Sequence, residues 1–459
     1  MQRALLRDRV RVIGAGLAGC EAAHQLARRG YDVELHEMKP KKRTPAQVSD
    51  RLAELVCSNS FRSANVENAV GALKHEMRAL DGFLMACAQE AAVPAGDALA
   101  VDREVFADLV ERGVRAHPRV KVVHDEVTEL KDDDVATIVA TGPLTSDALA
   151  SSIVAACGNE RLAFYDAIAP IIEADSVDMN HAYFLSRYGK GEGTDYLNCP
   201  MTRDEFTAFR DALLAADRVH AKEFEDLKYF EGCLPIEVLA ERGEKTLTFG
   251  PMKPVGLEHP TTGKRPWAVV QLRKEDIHGS AYNLVGCQTR LKQPDQRAVF
   301  ARVPALANAR FLRFGAIHRN TYLDAPRVLD DRLRMARDDG RFANVFFAGQ
   351  ITGVEGYVES TACGLLVALL VDDLLQGRAL DVPPETTTLG GLYRHVRGHL
   401  RADPRRYDPS NVTWAMVPPV TDLKRGDDKK ARVSARARAD FDAWRARRAT
   451  PERAAIVGT

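Results

Sequence analysis

The chain has 459 residues, of which 45% are hydrophobic and 28% charged, and it contains 64 basic and 64 acidic side chains. This composition is ordinary for a folded globular protein and argues against a mostly disordered chain. The length suggests about two or three domains. No apolar run approaches the ~18 residues of a membrane-spanning helix, and the charged N-terminus does not match a signal peptide. Eight cysteines are too few for a disulfide scaffold, so we expect a reducing, cytoplasmic location.

Charge is distributed unevenly along this formally neutral chain. Residues 391–459 carry sixteen Lys and Arg against eight Asp and Glu, a net charge of +8 that leaves −8 on the remainder. A basic C-terminal segment is compatible with contact to nucleic acid. A solvated helical tail is the simpler interpretation.

A strand, a glycine-rich turn, a helix and a second strand are the first elements predicted. Val10–Ile13 is an apolar strand, residues 20–27 are helical in character, and Val33–Glu37 is the next strand. The turn has the GxGxxG pattern in Gly14, Ala15, Gly16, Leu17, Ala18 and Gly19. In dinucleotide-binding units the three glycines permit a tight turn, approach of the pyrophosphate and close packing of helix on strand. Glu37, 18 residues after Gly19, is placed to accept hydrogen bonds from a ribose.

Two later segments are predicted to complete a nucleotide site. A strand over residues 135–141 ends at Gly142, and a strand from Asn344 leads through a glycine-containing segment into a helix of small residues. In flavoproteins of this architecture such a late strand–glycine–helix unit returns beneath FAD, where helix amides hold anionic groups. The residues assigned to this return are Gly349, Gln350, Gly353, Gly356 and Tyr357.

The predicted fold class is α/β, a Rossmann-like FAD-binding domain of the glutathione-reductase type split by an inserted α+β domain. The expected boundaries are 1–185 for the first part, 186–330 for the insert, 331–375 for the return and 376–459 for the basic C-terminal segment. The other predicted helices cover 66–91, 205–227 and 424–448. Strands are predicted at 246–249, 267–272, 282–285 and 311–317.

The cysteines show neither paired redox spacing nor zinc-ligand spacing, so no metal is predicted. Two of them stand apart. Cys57 precedes the predicted helix 66–91, and a thiol near a helix N-terminus ionises more readily. Cys233 lies in a Gly-Cys-x-Pro turn. Local context alone leaves the reactivity of both open.

Longer strings of residues carry a family resemblance. They lie at 53–60, 196–201, 230–237, 249–257, 318–322 and 349–353. Over Val12–Pro419 the sequence resembles the TrmFO family, the bacterial folate- and FAD-dependent tRNA (uracil-5-)-methyltransferases. Two departures are Cys287, at an aromatic position of the family pattern, and an altered version of the element at 411–419.

The resemblance implies reductive methylation of the T-loop uridine of tRNA. Methylenetetrahydrofolate supplies the carbon, reduced FAD carries it and supplies hydride, and NADPH or NADH reduces the flavin again. By the same resemblance Cys233 is the nucleophile that adds to carbon 6 of uracil, and Cys57 is the proton acceptor or its helper. Folate needs a flat surface and cations near the flavin, for which the candidates are Tyr357, Tyr322, Arg319 and Lys253.

Other functions remain open at this point. The same chemistry on a ribosomal RNA uridine fits the sequence equally well. A non-catalytic flavin-containing RNA-binding protein and a generic NADPH-dependent flavin oxidoreductase are further alternatives. A relative of the larger protein that modifies the wobble uridine of tRNA fits less well, because roughly 80 residues after the FAD return cannot hold its long helical domain.

Overall fold

The structure is a computed structural model that describes residues 8–44, 46–157, 162–189, 193–219, 234–243, 245–276, 278–400, 407–422 and 426–449. Within these ranges, residues 162–168, 189, 317–321 and 449 are described by their backbone alone.

Helices and strands alternate along most of the chain. The strands are β1 Arg9–Ile13, β2 Asp32–Glu37, β3 Ser60–Ser63, β4 Ala92–Val93, β5 Ala98–Val101, β6 Val120–His124, β7 Ala136–Val139, β8 Leu162–Ile168, β9 Ile171–Glu173, β10 Tyr183–Phe184, β11 Tyr196–Met201, β12 Ala268–Lys274, β13 Ala281–Leu284, β14 Phe311–Arg313, β15 Ala316–Tyr322 and β16 Val345–Phe347. The helices are α1 Leu17–Arg28, α2 Ala69–Ala79, α3 Phe83–Glu90, α4 Arg103–Ala116, α5 Asp147–Cys157, α6 Arg203–Ala215, α7 Ile236–Glu241, α8 Thr246–Phe249, α9 Gln293–Phe300, α10 Ala325–Val328, α11 Tyr357–Leu375, α12 Thr388–Val396 and α13 Lys429–Ala449.

A parallel sheet of five strands in the order β16-β7-β1-β2-β6 forms the centre of the first domain. Its strands are short apolar runs, as expected for a parallel sheet with both faces covered. The carboxyl ends of β1, β2, β7 and β16 meet at one edge, where open α/β sheets bind their ligands. This arrangement confirms the predicted Rossmann-like fold, assembled from segments at both ends of a long insertion.

The insertion is built on a second sheet, antiparallel, of six strands in the order β10-β11-β12-β13-β9-β14. It has a separate apolar core that includes Phe206, Phe209 and Phe300. The chain enters through β8 and leaves through β15, which pair with each other in antiparallel fashion. The strands of this sheet run from residue 171 to residue 313. Two of them, β9 and β10, precede the boundary predicted at residue 186. Sequence reasoning missed them because both strands are too short to give a periodic signal.

Several predicted elements were wrong in type or extent. The helix expected over 66–91 is two helices, because Asp81 has φ 56° in the left-handed region and Gly82 follows it. The strand expected at 246–249 is the short helix α8. The strand expected over 311–317 is interrupted and forms β14 and the start of β15. Helix α6 begins with a capping box between Thr202 and Glu205 and ends at Ala215. Residues 220–227 of the predicted helix lie outside the described part of the chain.

The basic C-terminal segment includes a docked helix, α13, rather than only a solvated tail. Phe441 and Trp444 on α13 are fully buried. Arg448 pairs with the buried Asp373 at 2.9 Å, and Arg432 pairs with Asp422 at 2.8 Å. Charged side chains of α13 thus form ion pairs with other residues of the chain. In the part of the chain that the structure describes, no helix is both long and apolar enough to cross a membrane.

Helix α12 is anchored by a buried carboxylate from α2. Glu76, 1% exposed, accepts hydrogen bonds from the backbone N–H of Thr388 at 2.9 Å and of Leu389 at 2.7 Å. Burial raises the pKa of Glu76 to about 7 from its usual 4.5. Glu76→Ala is expected to lower the free energy of unfolding by about 2–3 kcal/mol, because two buried donors lose their acceptor. Glu76→Gln keeps one acceptor oxygen and should lose less.

The contribution of Glu76 to the free energy of unfolding depends on pH in a defined direction. Between pH 4.5 and about 7 the folded state binds more protons at Glu76 than the unfolded state does, so stability falls as pH rises through that window. Urea unfolding of wild type and Glu76→Gln at pH 5 and pH 7 should show this fall in the wild type only. A wild type and a Gln variant with parallel pH dependence would contradict this account.

Candidate active site

The glycine-rich turn at the end of β1 has the geometry of a nucleotide-binding loop. Gly14 has φ +98°, and a Cβ there would lie 2.7 Å from the carbonyl oxygen of Ala140. A Cβ at Gly19 would lie 1.8 Å from the carbonyl oxygen of Gly14. Both positions therefore need glycine, the first for the turn and the second for the approach of α1 to the loop.

The N-terminus of α1 faces open space. A Cβ at Gly16 would meet nothing within 4 Å, and among the described residues no side chain caps the helix there. The first-turn amides have no partner within the helix and create a positive end. Glu37, at the end of β2, accepts from the backbone N–H of Ala15 at 3.1 Å and of Lys39 at 3.0 Å. These backbone donors and the Glu37 carboxylate fit the pyrophosphate and ribose of a dinucleotide.

A cleft runs from this helix end to the N-terminus of α11. Its lining comes from the ends of β1 and β2, the segment that follows β7 and the first turn of α11. The predicted cofactor residues that line it are Gly14, Gly16, Leu17, Ala18, Glu37, Gly142, Gln350 and Tyr357. The remaining ones lie outside its lining, namely Ala15, Gly19, Gly349, Gly353 and Gly356.

The three outlying return glycines allow close packing. A Cβ at Gly349 would lie 2.7 Å from the Cβ of Ala18, and one at Gly353 would lie 2.5 Å from the ring of Tyr407. One at Gly356 would lie 2.5 Å from a carboxylate oxygen of Glu359. Their positive φ values and these contacts explain the glycines structurally.

Tyr357, the first residue of α11, holds the Cys57 loop by its hydroxyl group. The Oη atom accepts from the backbone N–H of Cys57 at 2.8 Å and of Ser58 at 3.1 Å, and it lies 2.9 Å from the Cys57 Sγ. Burial, reinforced by Cys57, raises the pKa of Tyr357 well above 10, so the phenol is neutral at physiological pH. The half-buried Cys57 is thereby held next to Tyr357, which lines the cleft, although Cys57 itself lies outside the lining.

The predicted position of Cys57 at a helix N-terminus was wrong. Strand β3 follows the cysteine at Ser60–Ser63, and α2 begins only at Ala69. Among the described residues, the groups that act on the thiol are therefore the Tyr357 hydroxyl and nearby arginine side chains.

Three arginines from distant parts of the chain contact the Cys57 loop, and we call them the arginine cluster: Arg103, Arg273 and Arg313. Arg103 Nη1 donates to the carbonyl of Leu55 at 2.7 Å, and Arg313 Nη1 donates to the carbonyl of Val56 at 3.0 Å. Arg273 donates to Ser58 Oγ at 3.0 Å and to Asn59 Oδ1 at 2.9 Å. Sequence reasoning missed all three, because they come from α4, β12 and β14 and share no local motif.

The folate candidates are not brought together in the described cleft. Tyr322 is 6% exposed and donates to the carbonyl of Tyr407 at 2.9 Å. Lys253 lies in the insert, where its carbonyl accepts from Arg187 at 2.9 Å. Neither residue lines the cleft. Arg319 lies in β15 but its side chain is outside the described part, and Cys233 lies outside the described residues altogether.

Loss of the Tyr357 hydroxyl is expected to loosen the Cys57 loop. Tyr357→Phe keeps the ring but leaves two backbone N–H groups without their acceptor, a cost of about 1–3 kcal/mol. Any product-forming rate that depends on Cys57 should fall about tenfold or more, while bound flavin is retained. Turnover and flavin content of the purified variant measure this. A fully active Tyr357→Phe enzyme would show that the hydroxyl has no positioning role.

The sequence of this chain matches known proteins over most of its length. A family model described as glucose inhibited division protein A matches residues 9–379. Methylenetetrahydrofolate–tRNA-(uracil-5-)-methyltransferase TrmFO of Anaeromyxobacter sp. strain Fw109-5 is 56% identical over 95% of this chain and 96% of its own length. The TrmFO proteins of Koribacter versatilis and Myxococcus xanthus are 51% and 52% identical over 95% of this chain and 98% and 95% of their lengths.

Solved structures agree on the fold. Two crystal forms of Aquifex aeolicus GidA superpose with TM-scores of 0.65 and 0.67, covering 97% of this chain and 74% and 77% of the GidA chain. Their sequence identity is 14%. Fold and cleft thus define a GidA-like protein with a Rossmann-type FAD-binding domain and a large insertion. Within that class, the chain belongs to the TrmFO family.

Proposed function

We propose that this protein is a folate-dependent tRNA methyltransferase that forms 5-methyluridine in the T-loop. Methylenetetrahydrofolate gives up its methylene carbon, and a hydride equivalent that originates in NADPH or NADH reduces that carbon to methyl. The products are tetrahydrofolate, oxidised nicotinamide and a uracil whose carbon 5 has exchanged a proton for a methyl group. Because the substrate is tRNA, the cytoplasm is the expected location.

The observation that carries the proposal is a cysteine held beside the cleft, in a chain of this family. Tyr357 lines the cleft and its hydroxyl contacts the Cys57 sulfur, whereas the amide-rich N-terminus of α1 contributes Gly16 and Leu17 to the same lining. A long ligand bound along the cleft would reach from a pyrophosphate cradle to Tyr357, next to the thiol. The names of relatives at 51–56% identity supply the substrate class.

The chain's own residues divide the chemistry between them. FAD, when bound, supplies the redox step that completes the methyl group. Gly16 and the first-turn amides of α1 would bind its anionic part, and Glu37 would bind the ribose. Cys233 adds to carbon 6 of uracil through its sulfur, which moves electron density to carbon 5 and makes that atom nucleophilic. Cys57 accepts the proton that leaves carbon 5, and carbon 6 then releases the sulfur of Cys233.

The cosubstrate contacts extend this proposal. Tyr357 offers an aromatic face at the cleft, and Lys253, Arg319 and Tyr322 remain candidates for folate. The inserted domain over about 186–330 would contribute to RNA and folate binding. The return over 331–375 would complete the FAD site, and α12 and α13 of the basic segment 376–459 pack against α2.

The direct test is product analysis on two RNAs. The purified protein is incubated with methylenetetrahydrofolate, NADPH and either unmodified tRNA or a uridine-containing ribosomal RNA fragment, and digested nucleosides are analysed by mass spectrometry. New 5-methyluridine in tRNA alone is expected. Methylation of the ribosomal fragment alone would overturn the substrate, and a flavin-containing protein that methylates neither RNA would overturn the activity.

A further inference from the structure

We propose that the arginine cluster, with Arg313 as its critical member, holds the Cys57 side chain as a thiolate at neutral pH. Arg103, Arg273 and Arg313 are positioning residues in this account, since they act through the Cys57 loop. The inference deepens the proposed function, because it assigns the charge state of the residue that accepts a proton there.

The cluster is short of negative partners. Arg103 pairs with Glu275, whose side chain is 6% exposed, at 2.6 Å. Arg273 bonds to the neutral atoms of Ser58 and Asn59 instead. All three guanidinium groups are buried or half-buried. Among the described residues that they contact, Glu275 therefore supplies the single carboxylate.

Arg313 is the least satisfied of the three. Its Nη1 donates to the Val56 carbonyl at 3.0 Å, but its buried Nε and Nη2 atoms have no hydrogen-bond partner in the described part of the chain. A buried cation without a counter-charge costs several kcal/mol. Burial and Arg103 lower the pKa of Arg313, whereas Glu275, Tyr357 and Cys57 act in the opposite direction.

The groups around Cys57 come from several elements. From α11 it faces the Tyr357 hydroxyl, which is neutral because its pKa is raised by burial. From α4 and β14 it senses the positive charges of Arg103 and Arg313, and each of these is in turn influenced by the cysteine. The nearby carboxylate of Glu54 already pairs with Lys39 at 3.2 Å.

The sum of these groups favours a negative sulfur. Both lone pairs of the Tyr357 oxygen are used by the N–H groups of Cys57 and Ser58, so its own hydrogen is free to point at the sulfur. A thiolate at Cys57 accepts that hydrogen bond and offsets the excess positive charge. The loop is thus held both by the Tyr357 hydroxyl and by the arginine cluster.

Alkylation of Cys57 as a function of pH tests the inference without RNA, folate or nicotinamide. The full-length flavin-containing protein is treated with iodoacetamide from pH 5.5 to 9.5, and the tryptic peptide Leu52–Arg62, whose one cysteine is Cys57, is quantified by mass spectrometry. The variants are Arg313→Gln, which keeps a donor for the Val56 carbonyl but loses the charge, and Arg313→Lys, which keeps the charge. Arg302→Gln, at an exposed arginine outside the cluster, is the matched control.

We expect the wild-type alkylation midpoint well below the pH of about 8.5 for a free thiol. Arg313→Gln should raise it by about one pH unit or more, while Arg313→Lys and Arg302→Gln stay near wild type. A wild-type midpoint at 8.5 or above would overturn the inference, and this holds even if a variant fails to fold. Equal shifts in the Gln and Lys variants would also overturn it, since contact rather than charge would then be responsible.

Failure of methylation would not change this result, because the readout is the thiol itself. Conversely, a methylating enzyme with an ordinary Cys57 midpoint would leave the proposed function intact and remove the role of the arginine cluster.

Discussion

Replacement of Cys57 by alanine is expected to lower the rate of tRNA methylation by about 10²–10⁴-fold while bound FAD is retained. The sulfur is the candidate proton acceptor, and it lies 2.9 Å from the hydroxyl of Tyr357, which lines the cleft. Gly16 and Glu37, which line the cleft near the N-terminus of α1, are untouched by the change. Single-turnover formation of 5-methyluridine, together with the flavin absorbance of the purified variant, measures both effects.

Two further variants separate chemistry from packing. Cys57→Ser keeps a polar atom beside Tyr357 but is a far weaker base than a thiolate, so it should be nearly as inactive as Cys57→Ala. Cys157→Ala, at the half-buried end of α5 and outside the loop that Tyr357 holds, should remain active. An active Cys57→Ser variant would reduce Cys57 to a structural role.

Gly16→Val is the second change with a large expected effect, namely loss of FAD from a chain that still folds. Gly16 has φ −76°, which any residue adopts, and a Cβ there meets nothing within 4 Å. The valine side chain would instead occupy the cradle at the N-terminus of α1. We expect FAD affinity to fall about 100-fold or more, equivalent to about 2.7 kcal/mol.

A graded pair of glycine variants provides the control. Gly16→Ala adds only a methyl group and should weaken FAD binding less than Gly16→Val. Gly19→Ala places its Cβ 1.8 Å from the Gly14 carbonyl oxygen, so it should impair folding itself. FAD titration and thermal unfolding of the apoproteins distinguish the two cases. Retention of FAD at wild-type affinity in Gly16→Val would show that the cradle does not bind the cofactor.

The parts of the fold that sequence reasoning predicted well are those with a local cause. The turn at Gly14–Gly19 is dictated by backbone conformation and close approach within one strand–turn–helix unit, so its pattern is visible in six consecutive residues. The return strand and α11 are similarly local. That β1 and the return strand share one sheet across the insertion was inferred from flavoproteins in which these two motifs occur together.

The errors have tertiary causes. Residues 66–91 keep one apolar periodicity, yet Asp81 and Gly82 end α2 because the chain turns there. Thr246–Phe249 has strand-like composition but is too short for that preference to decide its conformation. Periodicity reports which face is buried, not where a helix stops.

The surroundings of Cys57 were beyond sequence reasoning for a different reason. The arginine cluster draws on residues 103, 273 and 313, and Tyr357 lies 300 positions from Cys57. Convergence of such distant segments depends on the complete packing of two sheets. No spacing rule along one chain contains that information.

The central claim, that the methyl carbon comes from folate, is tested most directly by isotope transfer. The enzyme is incubated with unmodified tRNA, NADPH and methylenetetrahydrofolate carrying ¹³C in the methylene group, and in parallel with unlabelled folate plus S-adenosylmethionine carrying ¹³C in its methyl group. We predict ¹³C in the 5-methyluridine of the first reaction and none in that of the second. Label from S-adenosylmethionine, or 5-methyluridine formed without folate, would contradict the account.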